Sequence, residues 1–353
     1  MLIALLAMVL GCSTADAAFN IQYTIASPAS FTASQLAHLN TALARSEAMW
    51  ENVITGYQPG VTVTTLPISV RAVTTGLASA SFTGSVFQGG FRVPTSGQIN
   101  MNVNEIENFA SWQGVVVPPI PNGRNYLDEL LAHETGHVLG IGTTWQQNNT
   151  FVADGTFLYT GQHGLREYKK EFDATATFVP IENAGNAGTP GAHWDQLMRS
   201  SPQEGTPPPA DPFLLDPRVG VTDRFGRDRG LELMTGAIDP DYGEPFLSRF
   251  TVQSLRDLGY AVTSIEDVNG DGGVDLADLA VVSANIGMTG LQIDSMRFGD
   301  VNGDRMVNAA DVALVRAVIP EPATLVLMAV AVGALNVGRI SRRFQRSGRT
   351  FRQ

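Results

Sequence analysis

The sequence predicts an α+β protein: a twisted mixed sheet with two main helices and an irregular second half, then a small α-helical module with paired cation loops. Three observations predict it. Period-two and period-3.6 hydrophobic patterns alternate along the first part of the chain. A His-Glu-x-x-His pair falls on the second helical pattern. A twelve-residue acidic pattern occurs twice, its copies 33 residues apart.

Residues 2–10 (LIALLAMVL) are apolar, and Ala15-Asp16-Ala17 offers small residues for cleavage, so 1–17 reads as a secretory signal peptide. No Lys or Arg precedes the apolar run. Val9-Leu10-Gly11-Cys12 is the lipoprotein alternative, and a buried N-terminal segment is the structural one. Residues 19–25 (FNIQYTI) alternate as a half-buried strand does. Leu36, Leu39, Leu43, Met49 and Trp50 recur at helical spacing across 34–54. Residues 61–72 are β-branched and strand-like, and 98–104 (QINMNVN) predicts another strand, placed at an edge. A helix follows over 126–139, then a Gly- and Pro-rich stretch from 143 to 230 with few periodic runs. A short helix at 251–258 closes a body of residues 18–262.

Composition narrows the function classes. Hydrophobic residues make up 44% and charged residues 16% of 353, which suits a packed core rather than disorder. The formal net charge is −11, and 18–338 holds 17 basic against 33 acidic side chains. Phosphate binding needs a basic face, so nucleic acid is not an expected partner. Cys12 is the sole cysteine, which excludes a disulfide scaffold, a thiolate zinc site and a cysteine nucleophile from the body.

His133 and His137 lie four residues apart, on one face of the predicted helix, where both can grip one ion. Glu134 beside them is the expected general base toward a zinc-activated water. Catalytic zinc usually takes three protein ligands and keeps one position open. The chain has five histidines, at 38, 133, 137, 163 and 193. Thr143 stands where the short H-E-x-x-H-x-x-G-x-x-H pattern would put the third ligand, and a threonine is a poor one. His38 lies in an upstream helix with an apolar face and reads as structural. His163 and His193 remain.

The wider pattern resembles the leishmanolysin family of metzincin peptidases, particularly its smaller bacterial members. The likeness rests on the His133–Gly140 segment, Val179-Pro180-Ile181-Glu182-Asn183, Gly188-Thr189 and Ala192-His193-Trp194. It continues through Glu232-Leu233-Met234-Thr235-Gly236, Leu247-Ser248-Arg249-Phe250 and Ser254 to Tyr260. The resemblance implies a zincin fold, one catalytic zinc held by His133, His137 and His193, and Glu134 as general base. It implies Met234 as the methionine floor beneath the metal, and endopeptidase activity on proteins or peptides. The departures are the missing cysteines and a long spacer from Asp195 to Leu233, which includes Pro207-Pro208-Pro209. Met198 is a second methionine near the site and reads as a packing residue.

The acidic repeats place oxygen side chains at loop positions 1, 3, 5, 9 and 12. In the first copy these are Asp267, Asn269, Asp271, Asp275 and Asp278; in the second, Asp300, Asn302, Asp304, Asn308 and Asp311. Apolar helix faces follow each loop. The pair, spanning 263–319, resembles a dockerin type I module. That resemblance implies two structural calcium ions and a cohesin as possible partner; a calcium-stiffened spacer is the other reading.

Residues 320–353 form the tail. Pro320-Glu321-Pro322 precedes an uncharged, mostly apolar run over 323–338, and six arginines fall between Arg339 and Arg352. The run is short for a spanning helix, which needs about 20 residues. The order of the three parts resembles the PEP-CTERM sorting signal. It implies export to a bacterial surface, membrane contact through the apolar segment, and processing by an exosortase-type enzyme; an ordinary C-terminal anchor is the alternative. Taken together, the sequence predicts an exported zinc metalloendopeptidase. The rivals are a non-catalytic adhesion or scaffold protein and a dockerin-borne component of a polysaccharide-degrading complex.

Overall fold

Alternation places the first strand. In β1 (Asn20–Ile25), Ile21 points into the core while Gln22 faces out. Capping starts the first helix: Thr32 Oγ1 accepts from Gln35 N and the Gln35 side chain answers Thr32 N, opening α1 (Ala33–Val53). Its buried stripe of Leu39, Leu43, Met49, Trp50 and Val53 follows the predicted spacing. Then come β2 (Ile54–Tyr57), β3 (Thr65–Val73), β4 (Ala78–Gln88) and β5 (Phe91–Asn102). The computed structural model describes residues 19–111, 126–197, 221–236 and 244–319. The leader, the tail, Met198 and Pro207–Pro209 lie outside the described residues.

The four-stranded sheet has the order β1-β3-β5-β4. β1 and β5 both run parallel to β3, and β4 runs antiparallel to β5. This mixed sheet bears out the α+β prediction but moves one strand. The segment expected at an edge, 98–104, contributes instead to interior β5, with Ile99 and Met101 fully buried. The edges are β1 and β4, and on β4 Ser79, Ser81 and Thr83 are exposed. Its hairpin turns at Gly89-Gly90, at φ 58° and 89°, a conformation that favours glycine.

After the short α2 (Ile106–Ala110) comes α3 (Leu127–Leu139), buried on every side. It lies on the sheet through Gly97, where a Cβ would come 2.1 Å from Val138 Cγ1. Trp50 Nε1 donates to Ala132 O at 2.9 Å and ties α1 to the same helix. Gly140, at φ 112°, ends α3 with its N–H turned back to the helix.

The second half is less irregular than its composition suggests. β6 (Leu158–Tyr159) pairs with β7 (Val179–Pro180), and between them runs α4 (Gln162–Glu171). The closing helix begins at 249 rather than 251: α5 (Arg249–Ser254) tightens into a 3-10 turn over Leu255–Leu258. β8 (Tyr260–Val262) then pairs with β2. Tyr260 meets Phe19 at the other end of the body, ring centroids 5.8 Å apart. The last helices are α6 (Leu276–Ala284) and α7 (Ala309–Val318), packed on each other. Among the described residues no helix is long and apolar enough to cross a membrane.

Candidate metal centre

Three imidazoles meet at one point. The Nε2 atoms of His133 and His137 are 3.1 Å apart, those of His133 and His193 3.2 Å, and those of His137 and His193 3.0 Å. Each ring's other nitrogen faces a backbone carbonyl: His133 Nδ1 to Leu233 O at 2.6 Å, His137 Nδ1 to Ile141 O at 2.9 Å, His193 Nδ1 to Thr189 O at 3.0 Å. A carbonyl only accepts, so every Nδ1 carries the hydrogen and every Nε2 presents a lone pair. Three lone pairs aimed at one another repel unless a cation lies between them. Tetrahedral zinc with Zn–N bonds of about 2.0–2.1 Å would separate its nitrogens by about 3.3 Å, so the spacing fits such an ion. Their ligand atoms lie within 4.8 Å of one another, close enough to share one metal ion.

Electrostatics suit a cation as well. Burial, helped by the neighbouring His193 imidazole, pulls His133 down to about 3. Burial also lowers His137 and His193. All three are therefore neutral near pH 7, the form that binds metal. Burial pushes the Glu134 carboxyl up to about 8, and its Oε2 has no hydrogen-bond partner among the described residues. A cation bound between the imidazoles would favour the ionised carboxylate, the form that can take a proton.

The local chain explains the assembly. His193 reaches α3 because Gly142 has no side chain: a Cβ there would lie 1.9 Å from Ala192 O. Met234 Sδ occupies the space that a Cβ on Gly136 would need, at 2.5 Å from that position. Met234, expected as a methionine floor, thus packs against α3. Trp194 N donates to Met234 O at 3.0 Å, which fixes the two segments together. Behind them Trp194 packs among Trp145, Tyr159 and Phe250, edge-on to the last two. Glu232 holds the loop from inside, accepting from Met234 N at 2.7 Å, Ser248 Oγ at 2.7 Å and Thr251 Oγ1 at 2.6 Å. Thr143 is no ligand; its Oγ1 donates to His137 O at 2.6 Å near the end of α3. His163 lies in the first turn of α4, its N–H on Asp257, and His38 pairs with Glu107 at 3.1 Å. Neither joins the triad. The carbonyls of Leu233, Ile141 and Thr189 escaped the sequence reading, since any residue supplies a carbonyl.

The acidic repeats form two loops of like geometry. Asp278 Oδ1 accepts from Val268 N and Asn269 N, and its Oδ2 from Asp275 N. Asp311 repeats this with Val301, Asn302 and Asn308. Asp267 and Asp300 turn inward and are fully buried. Asp275 and Asn308, at position nine, also cap α6 and α7 by accepting from Ala277 N and Ala310 N. All side-chain donors are oxygens, the set a hard cation such as calcium takes. Burial pushes Asp267, Asp300 and Asp311 up, which a bound cation would offset. Residues 265–320 match the dockerin type I domain. Dockerin domains bind calcium and cohesins, so calcium is a supported ligand and a cohesin a supported partner of this domain. A comparison of the chain with curated proteins finds no match.

Proposed function

We propose that the protein is a component of an extracellular complex, joined through its dockerin domain, and that its body is a zinc-dependent endopeptidase. The dockerin match supports the first part. The convergence of three Nε2 lone pairs, with the buried Glu134 next to His133 in the chain, carries the second. Zinc, when bound there, supplies Lewis acidity toward a peptide carbonyl and makes water a better nucleophile at neutral pH. The chain does the rest. Carbonyls of Leu233, Ile141 and Thr189 fix the rings in the binding tautomer. Glu134 accepts a proton from the attacking water and passes it to the leaving amine. The likeness to leishmanolysin peptidases supports the same roles for these residues, with Met234 as support. The leader and the PEP-CTERM-like tail support export and a surface location.

The test is a broad peptide library with the purified protein, with and without a zinc chelator. Glu134→Gln should keep zinc and lose about 10³-fold in cleavage rate. A wild type that binds zinc and cleaves nothing would favour the second reading, a non-catalytic scaffold held by the same dockerin. Calcium-dependent binding to a cohesin panel tests the attachment.

A further inference from the structure

The two calcium loops differ at position six. The first has Gly272 at φ 92°; the second has Arg305 at φ 64°, a left-handed backbone that a side chain normally avoids. Gly272 meets nothing within 4 Å of where its Cβ would stand. Arg305, by contrast, is 4% exposed and leaves its own loop. Its Nη2 donates to Pro245 O at 2.6 Å and pairs with Glu129 Oε1 at 3.3 Å. Its Nε lies 3.7 Å from Glu244 Oε2. Its Nη1 donates to Gln292 O and Ser295 Oγ. Glu129 is fully buried on α3, one helical turn before His133. The backbone of the same residue belongs to the calcium loop, its N–H donating to Asp300 Oδ2 at 2.9 Å. From the other side, Arg227 of the body donates to Asn302 O of that loop at 2.5 Å.

We infer that Arg305 is a positioning residue that couples calcium in the second loop to the His133–His137–His193 centre. The inference rests on the zinc reading above. Calcium holds Asp300, Asp304 and Asp311 together and thereby keeps Arg305 in its left-handed conformation, pointed at Glu129. Without calcium those carboxylates repel, the loop loosens, and the guanidinium is no longer held between Glu129 and Glu244. α3 then loses a buried charge partner next to its first metal ligand. By linkage the effect is reciprocal: zinc at the triad tightens calcium in the second loop. In the first loop position six is Gly272, which has no side chain to make such a link.

The experiment measures zinc affinity of the full chain by competition with a chromophoric chelator, in saturating calcium and after calcium has been stripped and the stripping agent dialysed away. Zinc should bind about tenfold more tightly with calcium present. Arg305→Gly puts the first loop's residue in the second and removes the backbone strain. It should keep both calcium ions by calorimetry, yet show one zinc affinity in either condition. Arg305→Lys keeps the charge but not the two-pronged contact and should recover part of the calcium effect. Equal zinc affinities in the wild type would overturn the coupling and leave the zinc reading standing. So would a calcium effect that survives in Arg305→Gly. A wild type that binds no zinc in either condition would remove the zinc reading and this inference with it.

Discussion

Single residues decide whether the three imidazoles meet. Gly142→Ala combines a side chain at φ 75° with an overlap against Ala192 O. It should destabilise the protein by at least about 2 kcal/mol and lower its zinc content, read from a urea midpoint and metal analysis. Glu232→Ala removes one acceptor from several buried donors and should cost about 3 kcal/mol by the same midpoint. A variant as stable as wild type would show that Glu232 is not what holds the Met234 segment. At this scale much was legible. His133, Glu134 and His137 follow from helical spacing, and the choice of His193 over His163 came from the family likeness. What stayed hidden was the outer shell, because carbonyl positions depend on chain path and not on residue type. Arg305 was legible in principle: it stands where the first copy of the repeat has glycine.

Between elements, the closest approach is α3 on β5. Gly97→Ala should push the helix from the sheet and cost about 2 kcal/mol. Adding Val138→Ala opens space at that point, so the double variant should be less destabilised than the two single effects summed, by about 1 kcal/mol in thermal or urea unfolding. Strict additivity would mean that the two residues do not meet. Sequence periodicity located α1 and α3 to within a residue because both bury apolar faces. It misplaced β5 because an alternating strand looks the same whether one neighbour lies beside it or two. Gly89-Gly90 was the signal for the missing hairpin partner. α4 was overlooked because it is polar, with only Gly164, Tyr168 and Glu171 buried.

For the whole molecule, the dockerin domain is packed against the body through Arg305 and Arg227, so calcium should matter beyond its own loops. Calcium removal should speed amide exchange at Val268, Asn269, Val301 and Asn302, and also along α3, measured by hydrogen exchange with mass spectrometry. Faster exchange confined to 265–319 would mean that the two parts open independently. The repeat was plain in the sequence; its docking on the body was not, since that depends on surfaces far apart along the chain. The body also closes on itself. Phe19 rests against Tyr57 and Tyr260, and β2 waits for β8. A ribosome working at about 5–20 residues per second delivers those partners roughly 12–50 s apart. Within that interval α3 is finished first, and His193 follows His137 by about 3–11 s and Leu233 by about 5–19 s. The three imidazoles, with the carbonyl that orients His133, can therefore come together only after most of the body has left the ribosome.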